Sequence, residues 1–144
     1  MADQASSSIT IDAPADDVLA VIRDLEAYPQ WTPQISKAEV LETGTAGPLR
    51  ARFSMNASGM ADDYTLAYDW KPDGVSWHLT EPTKLQKSQR GTYSLAEQGS
   101  GTQVTYLLTM EIKVPMIGVM KRKAEKMIIE SALKELKKRV ESLR

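Results

Sequence analysis

The apolar positions of this chain change period three times, and the last two changes set off three parts. Residues Ser7–Asp12 alternate, as a strand buried on one face does. Ala13-Pro14-Ala15-Asp16-Asp17 then opens a helix, with proline in the first turn and two carboxylates facing the positive end of the helix dipole. Val18, Ile22 and Leu25 form its apolar stripe. Pro29 ends that pattern, and Tyr28-Pro29-Gln30-Trp31-Thr32-Pro33 reads as a stiff aromatic loop.

Between Ser36 and Val114 the alternation returns as strands at hairpin spacing. The strands are Lys37–Glu42, Leu49–Ala57, Asp63–Trp70, Val75–Thr80, Ser88–Ala96 and Thr102–Val114, separated by Gly- and Pro-containing breakers at 44–48, 58–62, 72–74, 81–83 and 99–101. With the first strand they make seven, and the short connections predict antiparallel pairing. Phase assigns the faces. Leu49, Ala51, Phe53 and Met55 share one side, as do Tyr64, Leu66, Tyr68 and Trp70, then Val75, Trp77 and Leu79, then Val104, Tyr106, Leu108, Met110 and Ile112. The opposite side is polar and wet.

The third part runs from Val114-Pro115 to Leu143 as one helix, roughly 43 Å long. Its apolar residues recur every fourth position, each step overshooting a turn by about 40°. Met116, Ile117, Met120, Ala124, Met127 and Ile128 therefore share one face. Ile129, Ala132, Leu133, Leu136, Val140 and Leu143 share another, turned by about 150°. Both faces can be buried only if the sheet curls strongly or the helix bends or bulges near Met127–Glu130. The methionines of the first half suit irregular space; the second half has the composition of close packing.

Length, composition and charge narrow the class. The 144 residues fit one domain spanning 1–144, and 42% apolar with 26% charged residues is the balance of a soluble globular protein. With no cysteine, disulfides, thiolate metal sites and cysteine nucleophiles are excluded. The first eight residues lack the basic and apolar regions of a signal peptide, and no apolar run is long enough for a membrane span. The expected location is cytoplasmic, with at most transient contact with a membrane surface. Residues 1–114 carry 9 Lys and Arg against 15 Asp and Glu, and residues 115–144 carry 9 against 4. The basic charges surround the helix and glutamates interleave them, unlike the single stripe of a nucleic-acid reader, so no nucleic-acid partner is expected.

Several segments are similar to the SRPBCC/START-like superfamily, specifically its bacterial polyketide cyclase/dehydrase and ubiquinone-binding-type branch. They are Ile9-Thr10-Ile11-Asp12-Ala13-Pro14-Ala15-Asp16-Asp17-Val18, Asp24 to Tyr28 with Trp31, Gly91-Thr92-Tyr93-Ser94-Leu95, Gly101-Thr102-Gln103-Val104-Thr105-Tyr106, and Ala132 to Glu141. The resemblance spans nearly the whole chain. It implies an α+β helix-grip fold: a curved seven-stranded antiparallel sheet around a long C-terminal helix, with two short helices after the first strand. It also implies a deep cavity between the sheet and the first half of the long helix.

The face assignment puts Phe53, Met55, Tyr64, Tyr68, Trp77, Tyr93, Tyr106, Met110, Met116, Met120 and Met127 around such a space, with Tyr28 and Trp31 near its mouth as a gate. Any one of these side chains could simply fill the core. Together they suit a greasy ligand held by a few hydroxyls. His78, the single histidine, falls on the polar phase with Ser76 and Thr80 and cannot build a zinc site alone. Arg50, Arg52 and Arg90 are on polar phases too, so the interior arginine that the resemblance implies for cyclases has no evident counterpart. No metal or cofactor is expected. Three functions follow: a carrier or binder of a small lipid, quinone or polyketide; a cyclase or dehydratase using Tyr64, Tyr68 or Tyr93 as proton donor; and an interaction module for protein or ribosome. An inward charged residue favours the second, and a filled interior the third. Oligomeric state is not legible.

Overall fold

The computed structural model describes residues 4–57, 60–113 and 118–143, with side chains over 5–56, 61–113 and 122–143. In chain order these form β1 (Gln4–Ile11), α1 (Ala15–Arg23), a short 3₁₀ helix (Leu25–Gln30), β2 (Ile35–Thr43), β3 (Pro48–Ala57), β4 (Met60–Lys71), β5 (Gly74–Leu79), β6 (Gln86–Gln98), β7 (Gly101–Ile112) and α2 (Gly118–Ser142). The strands make one curved antiparallel sheet in the order β1-β7-β6-β5-β4-β3-β2, gripped around α2. Fold class and strand count agree with the sequence pattern. The expected aromatic loop is instead partly helical: Leu25–Gln30 accommodates Pro29 in a 3₁₀ turn, which buries Tyr28.

Local signals account for α1. Pro14 is its N-cap, Asp16 and Asp17 lie in the first turn and Arg23 in the last, matching the dipole at both ends. Val18, Leu19 and Ile22 are buried.

Among its described side chains, the long helix corrects the first of the two expected faces at Met127 and Ile128; Met116, Ile117 and the side chain of Met120 lie outside the described residues. It is α-helical throughout from Gly118 to Ser142, with no bulge near Met127–Glu130. Glu125, Ile129, Leu133, Leu136 and Val140 are buried, which is a single stripe in steps of four and three. Met127 and Ile128 are 64% and 44% exposed. The buried position one turn before Ile129 belongs to a carboxylate, Glu125, whose Oε2 accepts the Met110 N–H at 3.2 Å. That bond lets a glutamate take a place the apolar count gave to its neighbours.

The basic helix also has a structural use. Strand β1 is a sheet edge, and its carbonyls would otherwise be open to pairing. Lys126 Nζ donates to Ser6 O at 2.9 Å and Lys137 Nζ to Thr10 O at 3.0 Å, while Glu141 accepts the Asp12 N–H at 2.9 Å. At the other edge, Glu26 of the 3₁₀ helix accepts the Val40 N–H of β2 at 3.1 Å. Helical side chains thus occupy backbone groups on both edges.

One close approach fixes the middle of the sheet. Gly91 on β6 lies directly opposite Trp77 on β5, and a Cβ at Gly91 would run into the indole ring. Gly91→Ala is therefore expected to destabilise the fold by about 1–3 kcal/mol through overpacking and to shift Trp77. Urea unfolding and near-ultraviolet circular dichroism check this; an unchanged midpoint and spectrum would contradict it.

Candidate functional site

The inward faces of neighbouring strands meet as aromatic pairs. Phe53 opposes Tyr64 across β3–β4, Tyr68 opposes Trp77 across β4–β5, and Tyr93 opposes Tyr106 across β6–β7. Their ring centroids are 5.6, 6.1 and 4.7 Å apart. Trp77 also contacts Tyr93 and Tyr106 at 5.3 and 5.6 Å, which joins the second and third pairs into one aromatic wall. Tyr28 packs on Phe53 at 6.0 Å and Trp31 on Tyr28 at 4.9 Å. Both are buried, and the Tyr28 hydroxyl donates to Ile22 O at 2.7 Å. This pair packs against Phe53 and is tied to α1, with Tyr28 in a 3₁₀ turn in place of the expected loop.

The other expected lining residues divide. Met55 is half-buried on the inward phase of β3, and Met110 packs against the core from β7. Met127 faces away from the buried stripe of α2 and is a correction to the predicted lining. Met116 lies outside the described residues, as does the side chain of Met120. His78, Arg50, Arg52 and Arg90 are exposed, as their phases indicate.

All five tyrosines are held well above the usual phenol range, first by burial, with neighbouring tyrosines adding to it for Tyr28, Tyr68, Tyr93 and Tyr106. Tyr28 feels Tyr68, Tyr106 and Tyr64, while Tyr68 feels Tyr64, Tyr93 and Tyr106. Tyr64 is raised also by the charge of Asp62. The hydroxyls of Tyr64, Tyr68, Tyr93 and Tyr106 make no hydrogen bond to any described protein atom. Nor are they enclosed by neighbouring atoms, as the unpartnered indole N–H groups of Trp31 and Trp77 are. A phenol without a protein partner needs water or a ligand beside it.

Three polar residues at one end of this interior escaped the sequence pattern. Asp62 and Gln86 are 4% and 2% exposed, and Glu125 is 3% exposed. Asp62 was read as part of a turn, but β4 starts at Met60, which carries the inward phase of Tyr64 back to it. That phase was available in the sequence. Gln86 enters through a bulge between Gln86 and Ser88, which leaves no trace in the alternation. Asp62 Oδ2 accepts Thr83 Oγ1 at 2.6 Å and Gln86 Nε2 at 3.2 Å. A hollow of about 420 Å³ lies there, lined by Asp62, Tyr64 and Thr83 with Arg52, Asp63, Thr65, Glu81, Pro82 and Lys84. Another of about 490 Å³ lies at the opposite end of β4, where Arg23 sits 5.5 Å over the Trp70 ring. Among the described residues, no group of three acidic, histidine or cysteine side chains is placed to hold a metal. No described helix is long and apolar enough to cross a membrane.

The raised phenols carry a consequence for pH. Below pH about 10, folded and unfolded chains both keep these protons, and stability is unaffected by them. Above it, the unfolded chain ionises while the folded chain does not, so stability falls with rising pH towards the raised native values. The slope is up to about 1.4 kcal/mol per pH unit for each tyrosine. Tyrosinate absorbance is expected to appear together with loss of the native circular dichroism. Ionisation of the tyrosines within an intact native spectrum would contradict their burial.

Comparisons with known proteins agree with this geometry. Among curated proteins, none matches the sequence. A START superfamily protein from Mycobacterium smegmatis has the same fold with a TM-score of 0.90 and 26% identity, covering 98% of this chain and 99% of the other. The Zhui aromatase/cyclase from Streptomyces sp. R1128 superposes with a TM-score of 0.84 at 18% identity, covering 98% and 94%. A protein from Thermus thermophilus gives 0.83 at 25% identity, covering 98% and 99%. Residues 3–141 match the family described as polyketide cyclase / dehydrase and lipid transport, and the chain belongs to that family.

Proposed function

We propose that the protein binds a small, largely apolar, oxygen-bearing molecule (a lipid, quinone or polyketide) between the aromatic wall and α2, and carries it without a cofactor. The observation that carries this reading is the set of four inward phenols with no protein partner, set among rings and methionines. Apolar walls supply affinity in proportion to the area they cover, and a few hydroxyls set orientation. Because burial keeps the phenols protonated, each can donate to a carbonyl oxygen at neutral pH. The family description, which joins cyclases with lipid transport, supports a ligand of this class. A carrier working in the cytoplasm accords with the cysteine-free composition.

A second reading, cyclase or dehydratase, is favoured by one feature: the inward carboxylate of Asp62 near the protonated phenol of Tyr64. An acid and a base side by side are what an aldol condensation and dehydration require. Native mass spectrometry of protein purified from its own host tests the first reading. A non-covalent adduct of defined mass, released on denaturation, is the expected result; a bare chain that also takes up no added quinone or polyketide would contradict it. Return of an added polyketone as a cyclised product, slowed at least about tenfold by Tyr64→Phe, would replace carriage with catalysis.

A further inference from the structure

We propose that the hollow of about 490 Å³ between the end of α1, the loop joining β2 to β3 and the end of β4 is a phosphate-binding site. None of the four unpartnered phenols lines it, so it is separate from the carrier site. Arg23 of α1 supplies a fork of donors, and Lys71 a second cation. The guanidinium is held over the Trp70 ring, 5.5 Å from its centre. That platform is itself fixed. The Trp70 Nε1–H donates to Pro48 O at 2.6 Å, and Tyr68 stacks on the ring at 5.6 Å. The backbone at Gly47 lies so close to the indole that a Cβ there would meet it at 3.0 Å. Arg23 Nε is enclosed by protein, whereas Nη1 and Nη2, the edge that grips an oxyanion, are open.

Arg23 makes no ion pair or hydrogen bond among the described residues. Its place in the last turn of α1 suits the helix dipole, which accounts for a positive charge there. The dipole does not account for a guanidinium seated on an indole with both terminal nitrogens unpaired in a recess. No carboxylate lines that recess, and Asp24 and Asp73, the neighbours of Arg23 and Pro72, are exposed and outside the lining. Lys71 is paired with Asp69 at 3.5 Å, but the two side chains are 61% and 71% exposed, and such a pair yields readily to a stronger anion. Thr45 adds a hydroxyl. Two cations without a lining acid match a phosphate group, which carries about −1.5 to −2 at neutral pH, better than a carboxylate. The other hollow has the opposite balance, with Asp62, Asp63 and Glu81 against Arg52 and Lys84. The volume lies within the roughly 300–1,000 Å³ of small-molecule sites, which leaves room for the organic part of a monoester.

The test is isothermal titration calorimetry with glycerol 3-phosphate, inorganic phosphate and glycerate at neutral pH and about 0.15 M salt, where contacts between exposed charges are screened. All three probes are too polar for an apolar interior. Glycerol 3-phosphate is expected to saturate a single site and to bind at least about tenfold more tightly than glycerate. Arg23→Lys, which keeps the charge and deletes the fork, should weaken it at least about fivefold, and Arg23→Gln at least about tenfold. Lys71→Gln should weaken glycerol 3-phosphate about threefold and glycerate less. Arg52→Gln, in the other hollow, should change neither. Native circular dichroism checks each variant, and the Lys71 substitution keeps the test valid if those at Arg23 fail to fold. Inorganic phosphate bound as tightly as glycerol 3-phosphate would support a site for the free ion, and tighter binding of the ester a site for a monoester. No saturable binding of either, binding that survives both Arg23→Gln and Lys71→Gln, or glycerate bound as tightly as glycerol 3-phosphate would overturn the proposal.

Discussion

The register of the sheet is the constraint on which the rest depends. Antiparallel neighbours bring Phe53 to Tyr64, Tyr68 to Trp77 and Tyr93 to Tyr106, so large rings stand directly opposite one another on the concave side. A slip of one residue in any of these pairings would turn the rings out to water and the polar residues in. Gly91 makes the arrangement feasible by leaving the space that the Trp77 indole fills. The aromatic side of the sheet shares one buried cluster with Ile129, Leu133, Leu136 and Val140 of α2.

The helix covers the interior unevenly. Ile129, Leu133, Leu136 and Val140 close one part of the interior with ordinary aliphatic contact. One turn earlier the inward residue is Glu125, bonded to the backbone of β7. Together with Asp62 and Gln86 it gives the interior a buried polar end, while the phenols populate the aromatic wall. An apolar body with polar groups gathered at one end is the layout expected for orienting an elongated ligand.

Much of this was legible from the alternation of side chains, because a period of two is a strong signal when one face is buried. The seven strands, the inward aromatics of β3, β4, β5 and β7, and the exposed His78, Arg50, Arg52 and Arg90 all follow from phase. The stiff aromatic loop expected around Tyr28 and Trp31 is partly a 3₁₀ turn, because such a turn tolerates the proline that ends the α-helical pattern. Met127 was misplaced because a four-residue repeat of apolar side chains does not say which side of the stripe a sheet will cover. Gln86 and Glu125 depend on a bulge and on a tertiary hydrogen bond, neither of which leaves a mark in local sequence.

The central claim is that the four phenols face room rather than protein. A high-resolution crystal structure of the protein as isolated tests this most directly. The account predicts ordered water or ligand density within hydrogen-bond distance of the hydroxyls of Tyr64, Tyr68, Tyr93 and Tyr106. Side chains of the protein itself, packed against all four hydroxyls with no density between, would contradict it.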